Sequence, residues 1–181
     1  MPKLFFDNNI ILEKQKTTCN LIIGKFQPFH IGHYQMIKDV DHLVMVIITG
    51  KRNKNRPFDI SHRMNWINET LTTRPYFILL EHGYIPYVVN ETRKHFLEPE
   101  SIICGLDREQ KYSNIIAHHN SIVTENKRID AVVRCVNPET RISATQVRKT
   151  ITDNNYKEFV KLMPEQLHLY FEEMKHLMKG F

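Results

Sequence analysis

The sequence predicts a three-layer α/β fold, in which helices cover a parallel β-sheet. Short apolar runs alternate with longer stretches of helical spacing along most of the chain. Two of the runs, 19–23 and 42–49, are apolar at most positions, so both faces of those strands are expected to be buried, as in a parallel sheet. A helix-length segment separates successive runs, which is the spacing of βαβ units.

About five strands and a helical C-terminal tail are expected. The strands are predicted at residues 19–23, 42–49, 76–80, 101–104 and 131–136, and a glycine follows the first, second and fourth of them. Helical spacing predicts helices at 32–39, 60–71, 90–97, 113–119, 143–151 and 156–178, the last broken near Pro164. Ser61 and Ser143 are the predicted N-caps. Trp66 is assigned to the core. Residues 1–18 are expected to be an N-terminal extension of a single domain at 19–181.

The composition limits the class of protein and its partners. The chain has 181 residues, of which 41% are hydrophobic and 25% charged, as in soluble globular proteins. It has no run of about 18 apolar residues and no secretory pattern at its N-terminus, so we expect a cytoplasmic protein with no membrane partner. A net charge of +5 favours phosphate-bearing ligands. Nucleic acid is not favoured, because no binding module is recognised. The three dispersed cysteines suggest neither a disulfide framework nor a structural zinc site.

The segment GKFQPFHIGH, residues 24–33, directly follows the first predicted strand. Gly24 allows a tight turn there, and Lys25 places a cation at the mouth of the sheet. His30 and His33 lie where the chain enters its first helix, whose free N–H groups and positive dipole end suit a phosphate. Zinc is the alternative ligand, but no third ligand lies nearby in the segment and helical zinc ligands are usually spaced i, i+4. The segment therefore predicts a phosphate site.

Two later segments suggest further ligand contacts. In ISATQVRK, residues 142–149, the hydroxyls of Ser143 and Thr145, free backbone amides and the Arg148 guanidinium would suit a terminal phosphate. An ordinary capped helix with a solvated arginine is the alternative. In CGLDRE, after the fourth strand, Gly105 would let a base or ribose approach the backbone, and Asp107 would accept from ribose hydroxyls.

GKFQPFHIGH and ISATQVR together resemble the signatures of the HxGH nucleotidylyltransferases. The longer form of the first motif is similar to that of archaeal-type nicotinamide mononucleotide (NMN) adenylyltransferases, and to the adenylyltransferase domain of bifunctional proteins that add a ribosylnicotinamide kinase. The resemblance covers roughly residues 19–165 and implies a Rossmann-like form of the predicted fold. No GxxxxGK[ST] loop occurs in the sequence, so the kinase half is not predicted.

The resemblance implies adenylyl transfer from ATP to NMN, or to nicotinate mononucleotide, which would give NAD or its acid form and pyrophosphate. The catalytic residues would be Lys25, His30, His33 and Arg56. The ATP-binding residues would be Gly24, Phe26, Gln27, His30, His33, Gly105, Asp107, Ser143, Thr145 and Arg148. In the archaeal-type enzymes a stretch similar to the basic loop KRNKNRPFDISHR carries an arginine that contacts the phosphates. Arg56 matches it best, and Arg63 matches the arginine that opens the following helix. Mg²⁺ is expected as cofactor, held by ATP phosphates and water rather than by protein ligands.

The sequence departs from the family in the residues expected to bind the acceptor. Archaeal enzymes place a tryptophan before the fourth strand, and it stacks on the nicotinamide ring. Here the segment reads EHGYIPYVVN, so Tyr84 or Tyr87 would have to stack instead. Phosphopantetheine and, with CTP as donor, choline phosphate or glycerol phosphate are rival acceptors. A nucleotide-binding regulatory module without turnover is the alternative from a different class, and a homo-oligomer is left open.

Overall fold

The computed structural model describes residues 16–136 and 141–180, so most of the predicted N-terminal extension lies outside the described residues. The elements in chain order are β1 Thr17–Gly24, α1 Ile31–Ile37, β2 Leu43–Ile48, α2 Ile60–Thr70, β3 Tyr76–Leu80, α3 Ile85–Arg93, β4 Leu97–Cys104, α4 Leu106–Ile122, β5 Val132–Cys135, α5 Ala144–Thr152, α6 Tyr156–Leu162 and α7 Phe171–Met178. Two short 3₁₀ helices lie at Glu125–Lys127 and Glu165–Tyr170. Within the described ranges, no helix is long and apolar enough to cross a membrane.

The chain divides into two compact units, which we call the sheet unit and the helical unit. The sheet unit comprises Met1–Gly24, Asp39–Ile48 and Pro75–Asn137, and the helical unit comprises Lys25–Lys38, Thr49–Arg74 and Pro138–Phe181, each within its described residues. All five strands, α3 and α4 belong to the sheet unit. The 3₁₀ helix Glu125–Lys127 also belongs to the sheet unit, and the remaining helices belong to the helical unit.

The sheet is parallel throughout, with strand order β3-β2-β1-β4-β5. All six residues of β2 are buried, as the continuous apolar run predicts. The chain builds outward from β1 to β3 and then returns to add β4 and β5 on the other side of β1. The order therefore reverses between β1 and β4, and ligands of open α/β sheets bind beyond the carboxyl ends of strands at such a point. Gly24 and Gly105 lie at those two strand ends.

The core of the sheet unit joins one face of the sheet to α3 and α4. Ile85, Val88 and Val89 of α3 and Tyr112 and Ile116 of α4 belong to one buried cluster with alternate strand residues. The prediction of a helix at 90–97 is wrong at both ends. Pro86 occupies the first turn of α3, where proline is well suited, and Leu97 already begins β4.

β4 also starts earlier than predicted, because it tolerates a proline through a register shift. Cys19 pairs with Pro99, but Asn20 pairs with Ser101, so Glu100 is the extra residue of a bulge. The predicted strands at 76–80 and 131–136 match β3 and β5, the latter trimmed by one residue at each end.

The helical unit confirms one predicted cap and corrects another. Ser143 caps α5: its hydroxyl accepts from the Gln146 N–H at 3.3 Å. Asp59, not Ser61, caps α2, because Ile60 is already helical; the Asp59 carboxylate accepts from the His62 N–H at 3.0 Å. Burial alone would raise the pKa of Asp59, but hydrogen bonds from His62 and Ser61 lower it to about 2. The predicted break near Pro164 separates α6 from α7, and Trp66 is fully buried.

Candidate active site

The two predicted histidines form a stacked pair at the start of α1. Their ring centroids are 3.7 Å apart and the planes differ by 24°. His30 is the N-cap residue, and its backbone N–H donates to Nδ1 of His33 at 3.3 Å. Because Nδ1 of His33 is thus an acceptor, the proton of the neutral His33 ring lies on Nε2. Nε2 is therefore the atom through which His33 can donate to a ligand.

Two phenylalanines of the same segment hold the histidine pair in place. Phe26 meets the His33 ring edge-on at a centroid distance of 5.0 Å, and Phe29 stacks on it at 5.6 Å. Both phenylalanines are buried. Phe26 has φ of 48°, a left-handed conformation that is costly for a non-glycine residue and that recurs at functional sites. The side chain of Phe26 therefore supports His33, and its contact with ATP stays a prediction.

His30 is a buried imidazole with an unused polar atom. Only 5% of the residue is exposed, and its Nδ1 is buried without a hydrogen-bond partner among the described residues. Burial lowers the pKa of His30 from 6.5 to about 4, so the ring is neutral near pH 7. A buried polar atom without a partner costs free energy unless a ligand or water satisfies it.

The depressed pKa of His30 predicts an acid-dependent loss of stability. The unfolded chain binds a proton at His30 below about pH 6.5 and the folded chain only near pH 4, so this contribution is complete above pH 6.5 and is lost as the pH falls towards 4. Between pH 7 and pH 5 the loss should be on the order of 2 kcal/mol. Urea unfolding of the wild type and of His30→Gln at both pH values measures it. Equal pH dependence in the two proteins would contradict the assignment.

The helical unit brings the two sequence motifs together. Nη1 of Arg148, on α5, donates to the Gln27 carbonyl at 2.6 Å, and Nη2 donates to Oγ1 of Thr145 at 3.1 Å. Arg148 is half-buried, and burial lowers its pKa. These contacts exclude a solvated arginine on an ordinary capped helix. Thr145 is exposed, while the Ser143 hydroxyl is engaged in its capping box with Gln146.

Two contacts that the sequence did not predict fix the segment before His30. The Gln27 side chain is buried, donates to the Phe58 carbonyl at 2.7 Å and accepts from the Phe58 N–H at 3.1 Å. Nη1 of Arg63, a residue only 2% exposed, donates to the Lys25 carbonyl at 2.7 Å. The Lys25 side chain itself is exposed. Gln27 and Arg63 thus anchor the backbone between Lys25 and the histidines.

The basic loop places Arg56 over a glycine. A Cβ atom on Gly50 would lie 2.2 Å from Nη1 of Arg56, and Gly50 has φ of +146°, which L side chains rarely adopt. Nη1 of Arg56 also approaches the Thr49 carbonyl at 3.4 Å. A tight turn joins the backbones of Asn53 and Arg56 through bonds of 3.2 and 2.8 Å. Gly50 therefore provides the space in which the Arg56 guanidinium lies.

In the sheet unit, the remaining predicted residues follow strand ends. Gly105 caps α4, and Asp107 in the first turn has an 81% exposed side chain whose Oδ1 would lie 2.9 Å from a Cβ on Gly105. Tyr84 caps α3 and is 52% exposed. Tyr87 lies one turn further along α3, with its ring 4.3 Å from that of His82. The structure therefore leaves Tyr84 the more accessible of the two tyrosines.

Gly83, which the sequence analysis did not single out, lets the segment before α3 pack closely on the sheet. A Cβ atom there would lie 2.9 Å from Cγ2 of Ile23 and 3.2 Å from Cδ1 of Ile48. Both isoleucines belong to the buried core, near the carboxyl ends of β1 and β2. Gly83 thus brings His82 and Tyr84 to this edge of the sheet.

Gly83→Ala is expected to destabilise the protein by about 1–3 kcal/mol, because the added methyl group overpacks the core. Urea denaturation measures the change. Gly180→Ala is the matched control, since nothing lies within 4 Å of a Cβ there, and it should change stability by less than about 0.5 kcal/mol. A Gly83→Ala protein as stable as the wild type would show that the segment is not held against the sheet.

The donors of the helical unit suit an anion rather than a bare metal ion. The predicted residues present there are arginine, lysine, histidine and hydroxyl groups. Within residues 16–136 and 141–180, no group of three or more His, Cys, Asp or Glu is arranged to hold a metal ion. This donor set fits a metal ion that arrives bound to phosphate oxygens.

The chain belongs to the cytidylyltransferase-like family, which matches residues 21–150. Among curated relatives, the nicotinamide-nucleotide adenylyltransferase of Sulfurisphaera tokodaii is 25% identical in a 167-residue alignment, and the match covers 84% of this chain and 89% of that protein.

Solved structures confirm the predicted fold class, a three-layer, Rossmann-like α/β fold. A bifunctional NMN adenylyltransferase/ADP-ribose pyrophosphatase from Francisella tularensis, complexed with AMP and a manganese ion, has a TM-score of 0.61 at 16% identity; the match covers 91% of this chain but only 52% of that one. Plasmodium falciparum nicotinic acid mononucleotide adenylyltransferase, complexed with APC, has a TM-score of 0.58 at 13% identity, covering 90% of this chain and 98% of that one.

Proposed function

We propose that the protein transfers the adenylyl group of ATP to NMN or nicotinate mononucleotide and releases pyrophosphate. The observation that carries the proposal is the bond between Arg148 and the Gln27 carbonyl, which joins the two motifs within the helical unit. The relatives named above support this chemistry over cytidylyl transfer or phosphopantetheine as acceptor. The cytoplasm is the predicted location.

The reaction is an in-line displacement. An oxygen of the acceptor phosphate attacks the α-phosphorus of ATP, a new P–O bond forms, and the bond to the β-phosphate oxygen breaks. The leaving group is pyrophosphate, so no covalent enzyme intermediate is needed, and catalysis consists of positioning and charge stabilisation. The groups required are therefore hydrogen-bond donors and cations around the phosphates.

The histidine pair would supply hydrogen-bond donors in a fixed orientation. His30 is uncharged near pH 7 because of its burial. Its Nδ1 has no hydrogen-bond partner among the described residues, so a ligand or water would supply one. His33 would donate from Nε2, since its Nδ1 accepts from the backbone. Both would contact the phosphates on either side of the bond that breaks, where negative charge develops.

The cations would neutralise the triphosphate. Lys25 and Arg56 are assigned to its charge, and Arg148, Thr145 and the N-terminal end of α5 to its far end. Ser143 would act through the cap that sets the start of α5. Gly24, Gly105 and Asp107 are proposed to contact the nucleoside portion. Mg²⁺, carried by the phosphates and water, would lower the charge of the triphosphate when bound.

Tyr84 is the proposed partner of the acceptor ring, because a flat cationic pyridinium is attracted to an exposed aromatic face. Tyr84→Ala should weaken NMN binding by about 2- to 30-fold and leave ATP binding unchanged. Tyr87→Ala is the matched variant and should have a smaller effect, since His82 already lies against that ring. Isothermal titration of both variants with NMN and with ATP measures this. If neither substitution matters for NMN, another group holds the ring.

The class of reaction is tested by pyrophosphate release from ATP or CTP with a panel of phosphorylated acceptors. We expect release with ATP and a pyridine mononucleotide, and much less with CTP or with phosphopantetheine. The same panel ranks NMN against nicotinate mononucleotide. Nucleotide binding without release for any acceptor would support the regulatory module instead.

A further inference from the structure

Arg52 lies in the same basic loop as Arg56, but its guanidinium is held by backbone carbonyls. Nε donates to the Pro57 carbonyl at 2.8 Å, and Nη2 donates to the Leu177 carbonyl at 3.2 Å. Pro57 directly follows Arg56, while Leu177 lies in the last turn of α7. Arg52 and Pro57 flank the turn formed by Asn53–Arg56, so the Arg52 side chain connects the two ends of this turn. It also connects them to α7, and all of these residues belong to the helical unit.

The end of α7 is suited to this contact. The last four carbonyls of a helix lack intrahelical donors, and the negative end of the helix dipole attracts a cation. A second contact lies on the other side of Arg56: His62 is flanked by Asp59, at 2.7 Å from its Nδ1, and by Glu173 of α7, at 3.4 Å from its Nε2. The helix α7 thus contacts the chain both before and after Arg56.

We propose that Arg52 is a positioning residue and that α7 is the brace against which it holds the loop carrying Arg56. The proposal rests on the function proposed above, since Arg56 is the group that would meet the triphosphate. Arg52 would act through the shape of the loop, because the two bonds described above go to backbone carbonyls of Pro57 and Leu177. Without them, an exposed loop that carries several positive charges would lose the conformation that places Arg56 over Gly50.

Lys54 allows a test that separates shape from charge. It lies in the same loop and is exposed. Arg52→Gln and Lys54→Gln each remove one positive charge from the loop, so a purely electrostatic role predicts equal effects. Arg52→Lys keeps the charge but cannot reproduce the guanidinium fork that reaches two carbonyls.

The expected result is a rise of about 10-fold in the KM for ATP in Arg52→Gln, as for the loss of one charge-assisted bond. The kcat and the KM for NMN should change less than about 2-fold, Lys54→Gln should resemble the wild type, and Arg52→Lys should remain impaired. Hydrogen exchange of the peptide spanning residues 51–58 gives a readout that needs no activity, and exchange should be faster in Arg52→Gln than in Lys54→Gln.

Several outcomes overturn the proposal. An equal rise in the KM for ATP in Arg52→Gln and Lys54→Gln, or a wild-type KM in Arg52→Lys, would show that Arg52 contributes only its positive charge. Unchanged exchange of the loop in Arg52→Gln would show that α7 does not brace it. Failure of the wild type to bind ATP would instead overturn the proposed function. The two failures are distinguishable, because faster hydrogen exchange of residues 51–58 in Arg52→Gln would be observed even if the protein did not bind ATP.

Discussion

Replacing His33 with asparagine is expected to lower kcat by about 10²–10³-fold while the protein stays folded. The asparagine Oδ1 can accept the His30 N–H in place of Nδ1, so the local backbone contact is retained. What is lost is the Nε2 donor, which water cannot replace in a fixed orientation near the reacting phosphates. Steady-state kinetics with saturating ATP and NMN measure the change.

Thermal unfolding of His33→Asn provides the control for folding. A melting temperature close to that of the wild type together with the loss of kcat would place the effect in catalysis. Near-normal turnover in a folded His33→Asn protein would remove the histidine pair from the mechanism.

Replacing Arg148 with alanine is expected to raise the KM for ATP by about 10- to 150-fold, the equivalent of one charge-assisted hydrogen bond. The KM for the acceptor should change far less, because Arg148 is assigned only to the triphosphate. Lys149→Ala is the matched control on the same helix: Lys149 is exposed and pairs with Asp153 at 2.6 Å, and surface pairs contribute little. If the acceptor KM rises while ATP kinetics are unchanged, the two ligands have been placed the wrong way round.

The sequence predicted the strands well, because continuous apolar runs and the glycines that follow them are local patterns. Each predicted strand corresponds to a strand of the sheet, and Ser143 caps α5 as expected. The cap at Asp59 and the start of α3 were not predicted. Two capping residues, Asp59 and Ser61, flank Ile60, and the predicted helix at 90–97 left out the first turn of α3, in which Pro86 is well suited.

The contacts that hold the site together could not be predicted from the sequence. Arg63, Gln27 and Arg52 each bond to backbone atoms of a residue distant or unremarkable in sequence, and a backbone carbonyl carries no signature of the side chain that will reach it. The left-handed backbone conformation of Phe26 could not be predicted either, because phenylalanine rarely adopts a positive φ. The sequence therefore predicts which groups would meet a ligand, and the structure shows which groups hold their backbone in place.

The most direct test of the proposed function is ³¹P NMR of the wild-type protein with ATP, NMN and Mg²⁺. We expect the diphosphate resonances of NAD and the resonance of pyrophosphate to appear at equal rates, as ATP and NMN disappear in a 1:1 ratio. Formation of ADP and inorganic phosphate, or no reaction in a protein that binds ATP, would contradict adenylyl transfer to a pyridine mononucleotide.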